Sequence, residues 1–382
     1  MILVERAYMK KRNSVIMILA IILICITSAL IFYMSVFHKT DEEKLSMAFR
    51  NQRIGESMSV VGVIGFEELT VEQVRVFEKT IVENIIKNMR LHYRLNVNAK
   101  RTQMDLSGTL ELNGNNLLDM NIYADDTLIA VSIPKLYHNT LYIAWEDVDV
   151  VLQRYGILGE EHLSDFPIQD ILFPVSEVIL DEAKVYEEEN MVIALDEFIH
   201  ANLVNVEEAT FVFDSRYMLE PISLDTKSYV VESSAKTAYD FYGGIVFPLY
   251  LDKYMHTQNN VLKTLYTTEA VKMYEDLLRD VFADARLRKE YSLIKGDVIG
   301  SAETLHVDET ILDVLNGYNP FIEELELDAS LVHQKYYIYD ADVVFKQVDD
   351  RAIDIGKVEP MELMNIFIEI QYNIEQLTGQ FN

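Results

Sequence analysis

The sequence predicts an α+β protein: antiparallel β-meanders packed with amphipathic helices and preceded by one transmembrane helix. Three observations lead there. A single uncharged apolar run extends from Val15 to Phe37, long stretches alternate apolar with polar residues, and three segments repeat apolar residues every three or four positions.

The run comes first. At about 1.5 Å per residue it is long enough to cross a hydrocarbon core of about 30 Å. Arg6, Lys10, Lys11 and Arg12 precede it, whereas Asp41, Glu42 and Glu43 follow, which orients the N-terminus to the cytoplasm and the remainder outside. No small-residue cleavage site ends it, so it reads as an uncleaved anchor. The expected organisation is a cytoplasmic tail (1–13), a transmembrane anchor (14–37), a juxtamembrane stalk (38–69), a first α+β module (70–205) and a second (206–382). The only cysteine, Cys25, lies in the run, with bulky Ile24 in place of the small residue that lipoprotein processing needs. No disulfide or thiolate metal site is therefore expected beyond it.

The chain carries 33 basic and 62 acidic side chains, a formal charge of −29. Four of the bases but only Glu5 of the acids fall before residue 38, so the portion after the anchor is the more acidic part. Such a surface repels nucleic acid and anionic membranes.

Beyond the anchor, Asp41 to Arg53 and the glycine-containing Glu56 to Gly65 read as the stalk. Thr70 and Gln73 form a capping-box pattern ahead of Val71, Val74, Phe77, Ile81, Ile85 and Met89 on one helical face. The period then becomes two at Leu95–Ala99, Met104–Leu112 and Leu118–Ala124, followed by apolar runs at Leu128–Ile133 and Leu141–Trp145. Asn113-Gly114-Asn115-Asn116 and Asp125-Asp126 serve as turns. Ile168 to His200, with its acidic run at Glu187, Glu188 and Glu189, is the expected crossing between modules. Alternation returns at Ala209–Phe213, Ile222–Thr226 and Ala235–Phe241. A helix is expected from Thr268 through Ala285, closed by Arg286, Arg288, Lys289 and Gly296 in accord with the helix dipole. Strands follow at Val298–Val307 and Leu331–Phe345, and a last helix opens at Pro360 and closes at Gly379.

No motif identifies a reaction. Glycine-rich phosphate loops are lacking, and His38, His92, His138, His162, His200, His256, His306 and His333 show no zinc spacing. Ser233-Ser234-Ala235-Lys236 matches S-x-x-K, in which lysine activates a serine nucleophile, but it stands in alternating sequence without the accompanying S-D-N or K-T-G. Asp147/Asp149 and Asp340/Asp342 pair carboxylates on one strand face, and His306, Asp308 and Glu309 form a loose cluster. In so acidic a chain these read as solvated turn residues. No catalytic, cofactor-binding or metal residue is assigned, and no cofactor is expected.

The words LLDMNIYADDTLIAVSIPKLYHNTLYIAW at Leu117–Trp145, followed by EDVDVVLQRYGI, resemble a family of single-pass membrane-anchored proteins of Gram-positive bacteria with a domain of unknown function. The resemblance implies a lone N-terminal anchor and a large meander-rich domain. Meanders wrapped around a helix also look like the lipoprotein-carrier group, whose half-barrels hold acyl chains, although the lipid-attachment cysteine is missing. The expectation is a non-enzymatic extracytoplasmic protein, held in the cell membrane through residues 15–37, that binds a partner protein or envelope component. The alternatives are a carrier or sensor of a lipidic ligand held between sheet and helix, and a carboxylate-using hydrolase.

Overall fold

The computed structural model describes residues 42, 44, 45, 48, 56–72, 85–100, 102–148, 151, 189–241, 285–307, 326–345, 348, 349 and 351–379. Two runs of strands make the molecule. The first comprises β1 (Met58–Glu72), β2 (Met89–Val97), β3 (Gln103–Leu112), β4 (Asn115–Asp125), β5 (Leu128–Ile133) and β6 (Tyr137–Ala144). The second comprises β7 (Leu203–Phe213), β8 (Ile222–Ser234), β9 (Arg286–Ile294), β10 (Asp297–Val307) and β11 (Glu326–Tyr339), with the short β12 at Ile353–Asp354. All belong to one 12-stranded sheet ordered β12-β6-β5-β4-β3-β2-β1-β11-β10-β9-β8-β7. Among the described strands only the β12–β6 pairing is parallel. The α-helices whose bounds fall among the described residues are α1 (Glu189–Asn202), α2 (Ala235–Phe241) and α3 (Pro360–Gly379).

This corrects the expected architecture. One continuous sheet replaces two helix-packed modules, and the described helices are few. The boundary expected at 205/206 falls inside β7. Among the described residues no helix is long and apolar enough to cross a membrane; residues 15–37 lie outside them.

The seam is β1, from the segment expected to be stalk. It pairs with β11 from Met58↔Tyr339 to Glu72↔Glu326 and with β2 from Met58↔Val97 to Gly65↔Arg90. Val60 and Val61 point to opposite faces and are both 0 % exposed. A β-branched run buried on both sides makes a central strand without alternation. Its glycines admit close neighbours: a Cβ at Gly62 would overlap the Tyr93 ring, and one at Gly65 the Arg90 side chain.

Three other expectations change. Thr70 and Val71 continue β1, paired with Asp328 and Leu327, while Met89 opens β2, so the capping-box pattern yields to ladder hydrogen bonds; residues 73–84 lie outside the described set. Ala235–Phe241 is helical because Ser234 Oγ accepts the Thr237 amide hydrogen at 3.0 Å and caps the turn. Arg286, Arg288 and Lys289 lie on β9, which ends in the hairpin turn Lys295-Gly296 (φ 55° and 92°), the left-handed pair that a type I′ turn requires. Of the helix expected at Thr268–Ala285, residues 268–284 lie outside the described set, and Ala285 stands outside any helix just before β9.

Register and pleat sort the side chains into two faces. On the first face, Leu195, Ile199 and Phe198 of α1, with Leu45, cover Tyr229, Val231, Tyr291 and Leu293. At the far end of that face, Leu363 and Ile366 of α3 cover Tyr137 and Leu141. Toward the second face the sheet curls. The Phe211 ring lies where a Cβ of Gly300 would go and stacks 6.2 Å from Tyr336, bringing β7 over β10 and β11. The β7–β8 turn continues across to β2 and β3. Arg216 Nη1 meets Glu111 Oε1 at 2.8 Å, the Tyr217 and Thr109 hydroxyls are 2.9 Å apart, and Ser215 Oγ is 3.3 Å from His92 Nδ1.

Candidate functional site

Charged and titratable side chains gather at the centre of the first face. The register Glu303↔His333, Glu303↔Lys289 and Ser301↔Lys335 sets them on neighbouring strands β9, β10 and β11, and Gly62 on β1 leaves room for the Tyr93 ring from β2. Lys335 Nζ donates to Glu303 Oε1 at 3.0 Å, and Lys289 Nζ lies 3.7 Å from the same oxygen. The Tyr93 hydroxyl is 2.6 Å from His333 Nε2, and the Tyr337 hydroxyl 3.3 Å from Ser301 Oγ.

Electrostatics fix the protonation states. Burial alone would raise the Glu303 carboxyl, but the Lys289 and Lys335 ammoniums hold it well below the usual carboxylate range. Burial, reinforced by the Lys335 charge, pushes His333 down to about 3. The neutral imidazole shares a hydrogen bond with the Tyr93 hydroxyl through Nε2, and its Nδ1 lies 3.9 Å from Glu303 Oε2. Burial raises the Tyr93 and Tyr337 hydroxyls and lowers Lys335 against the pull of Glu303.

Carboxylate, imidazole and hydroxyl stand in the order of a catalytic relay, but the chemistry does not follow. The Nδ1–carboxylate separation exceeds hydrogen-bond range. An imidazole with pKa near 3 is a weak base at neutral pH, and Tyr93 holds its proton tightly. The arrangement is a charge-paired polar core, with two lysines on one buried carboxylate.

A cleft runs from this cluster beneath α1, lined by Leu195, Ile199, Val231, Leu287 and Tyr291, with Lys289 at its polar end. It spans about 370 Å³ counting open solvent at its mouth, but the room it leaves for the centres of water molecules is about 10 Å³. That holds about one water, against the roughly 300–1,000 Å³ of a small-molecule pocket.

The second feature is α3. Leu363 and Ile366, 1 % and 3 % exposed, seat it on the sheet, and Asn373 Nδ2 donates to the Leu136 carbonyl at 2.8 Å. Its outer side carries Met361, Met364, Phe367, Ile368 and Tyr372, between 49 % (Met364) and 78 % (Met361) exposed. A helix on a protein surface needs one apolar stripe. This one has two.

The motifs singled out in the sequence fall elsewhere. Ser233 is the penultimate residue of β8 and lines the cleft, and Lys236 sits in α2. Asp147 packs against Gly356, while Asp149, Asp308 and Glu309 lie outside the described residues. Asp340 (φ 51°) and Asp342 are exposed beyond β11, and His306 Nδ1 is 3.1 Å from Ser330 Oγ. No group of three or more metal-ligating side chains occurs among the described residues. Sequence spacing missed the polar cluster because its members are scattered over four strands; the available signal was a lysine between His333 and Tyr337 at inward positions of an alternating strand. The outer stripe of α3 is legible as Met361, Met364, Ile368 and Tyr372 at helical spacing. No family model, no curated protein and no solved structure matches the chain.

Proposed function

We propose that this protein is a membrane-tethered extracytoplasmic binding protein, without chemistry of its own, that docks a partner protein on the outer face of α3. The observation that carries the reading is the set of five large apolar side chains, Met361, Met364, Phe367, Ile368 and Tyr372, exposed on a helix already seated by its opposite side. Contiguous exposed apolar surface of this kind characterises protein docking. Among the described residues the cleft under α1 is narrow, whereas the outer side of α3 offers exposed apolar surface. The tether is the apolar run Val15–Phe37 behind Lys10, Lys11 and Arg12.

The test is a photo-crosslinking residue placed at position 368 of the full chain in its host cells, with position 295 in the β9–β10 turn as the control. A discrete adduct from 368, absent from 295 and lost with Met364→Glu, is the expected result. Adducts from neither position, or equal adducts from both, would refute the docking face.

A further inference from the structure

We infer that the occupant of this face is a basic amphipathic helix of a partner protein, an inference that rests on the docking reading above and adds the chemistry of the partner. At about 100° per residue, Met361, Met364, Ile368 and Tyr372 fall in a band about 80° wide, and Phe367 lies about 60° outside it, between the band and buried Leu363. Their spacings of three, four and four residues make a ridge of the kind that a second helix packs against. The band covers about three turns, roughly 16 Å at 1.5 Å per residue, which matches a partner segment of similar length.

Charge selects among possible occupants. Exposed Glu362 and Glu369 run along one border of the band, and exposed Glu359 and Glu375 stand at its two ends. The α3 sequence, PMELMNIFIEIQYNIEQLTG, contains neither lysine nor arginine. On this rim His138 Nδ1 lies 3.5 Å from Glu369 Oε1 at an exposed site. A bilayer surface is the wrong occupant, because helices that lie in anionic membranes carry lysine and arginine on their polar side, not glutamate. A second copy of the chain would bring two acidic rims together. A partner helix with an apolar face flanked by lysine or arginine satisfies both stripe and rim. The two methionines suit such a surface, since unbranched thioether side chains adapt to the ridges placed on them.

The probes are two labelled 14-residue peptides with the same leucine face at helical spacing, one with lysine and one with glutamate on the polar side. Each is titrated by fluorescence anisotropy against the full chain in phosphatidylcholine nanodiscs, and empty nanodiscs are subtracted. The lysine peptide should bind at least about tenfold more tightly than the glutamate peptide, with an advantage that shrinks as salt rises. Glu362→Gln with Glu369→Gln should remove most of that advantage, whereas Glu207→Gln with Glu208→Gln on β7 should not. Ile368→Glu should abolish binding of both peptides. Equal binding of the two peptides, or indifference to the Glu362/Glu369 pair, would overturn the basic-partner inference. The docking reading would still stand if the adduct at position 368 forms. An adduct at 368 with the mass of two copies of this chain would overturn the inference in favour of self-association. Absence of both peptide binding and adduct would remove the two together.

Discussion

His333 shares a hydrogen bond with Tyr93 in surroundings that oppose its protonation, and this makes stability depend on pH. In the unfolded chain a histidine titrates near 6.5, whereas folded His333 is pushed down to about 3. Between those values the unfolded state binds a proton that the native state does not, so stability is greatest above about pH 6.5 and falls as pH is lowered through the window. The slope from one such group approaches about 1.4 kcal/mol per pH unit. His92, lowered by burial against the pull of Glu111, acts in the same direction. Glu303, held low by Lys289 and Lys335, adds its own loss only below the ordinary carboxylate range near 4.5. His333→Gln should therefore flatten the dependence between about pH 6.5 and 4.5 by close to one proton. Denaturant midpoints at pH 7, 6 and 5 measure this, and a variant with the wild-type slope would contradict the assignment. The sequence carries only one trace of this, a lysine between His333 and Tyr337 on an alternating strand. Lys335 reads as one charge in a strand, and only register reveals that it faces Glu303, some thirty residues earlier, from an inward position.

At the level of elements, the β7–β8 turn clasps the sheet through Arg216–Glu111, Tyr217–Thr109 and Ser215–His92 contacts. Each joins residues far apart in sequence, and the Arg216 end is partly solvated, so the clasp should be worth little to global stability and much to local closure. Arg216→Ala combined with Tyr217→Phe should speed amide exchange in residues 214–221 by about tenfold or more while lowering global stability by only about 1–2 kcal/mol. Unchanged exchange in the turn, or loss of protection throughout the sheet, would argue against a local clasp. The neighbouring strands show which elements sequence reveals. β3 and β4 alternate and are joined by Asn113-Gly114, both at positive φ, so pattern and turn chemistry agree. β1 does not alternate because both its faces are buried, and its glycines, read as stalk, serve the close approach of Tyr93 and Arg90. The basic residues of β9 imitate a helix C-terminus in one dimension. In the sheet, Arg288 reaches Glu232 and Glu290, and Lys289 turns to the opposite face toward Glu303.

The two runs of strands share β1, which has consequences for the whole molecule. Pairing along fourteen positions with β11 and eight with β2 leaves no edge at which one run could end and the other begin. A separable pair of modules would expose a strand edge and an apolar seam on parting, both unfavourable. The sheet should therefore unfold as one cooperative unit. Trp145, whose Nε1 donates to the Asp125 carbonyl at 2.7 Å, reports on β4 through β6, and amide exchange in β8 and β9 reports on the opposite side. Their denaturation midpoints should coincide. Val61→Ala removes two methyl groups from a fully buried seam position and should lower both midpoints together, by a free energy of about 2 kcal/mol. If instead the Trp145 signal and the exchange in β8 and β9 move apart, or if Val61→Ala shifts only one of them, the two runs are independent folding units and β1 belongs to one alone.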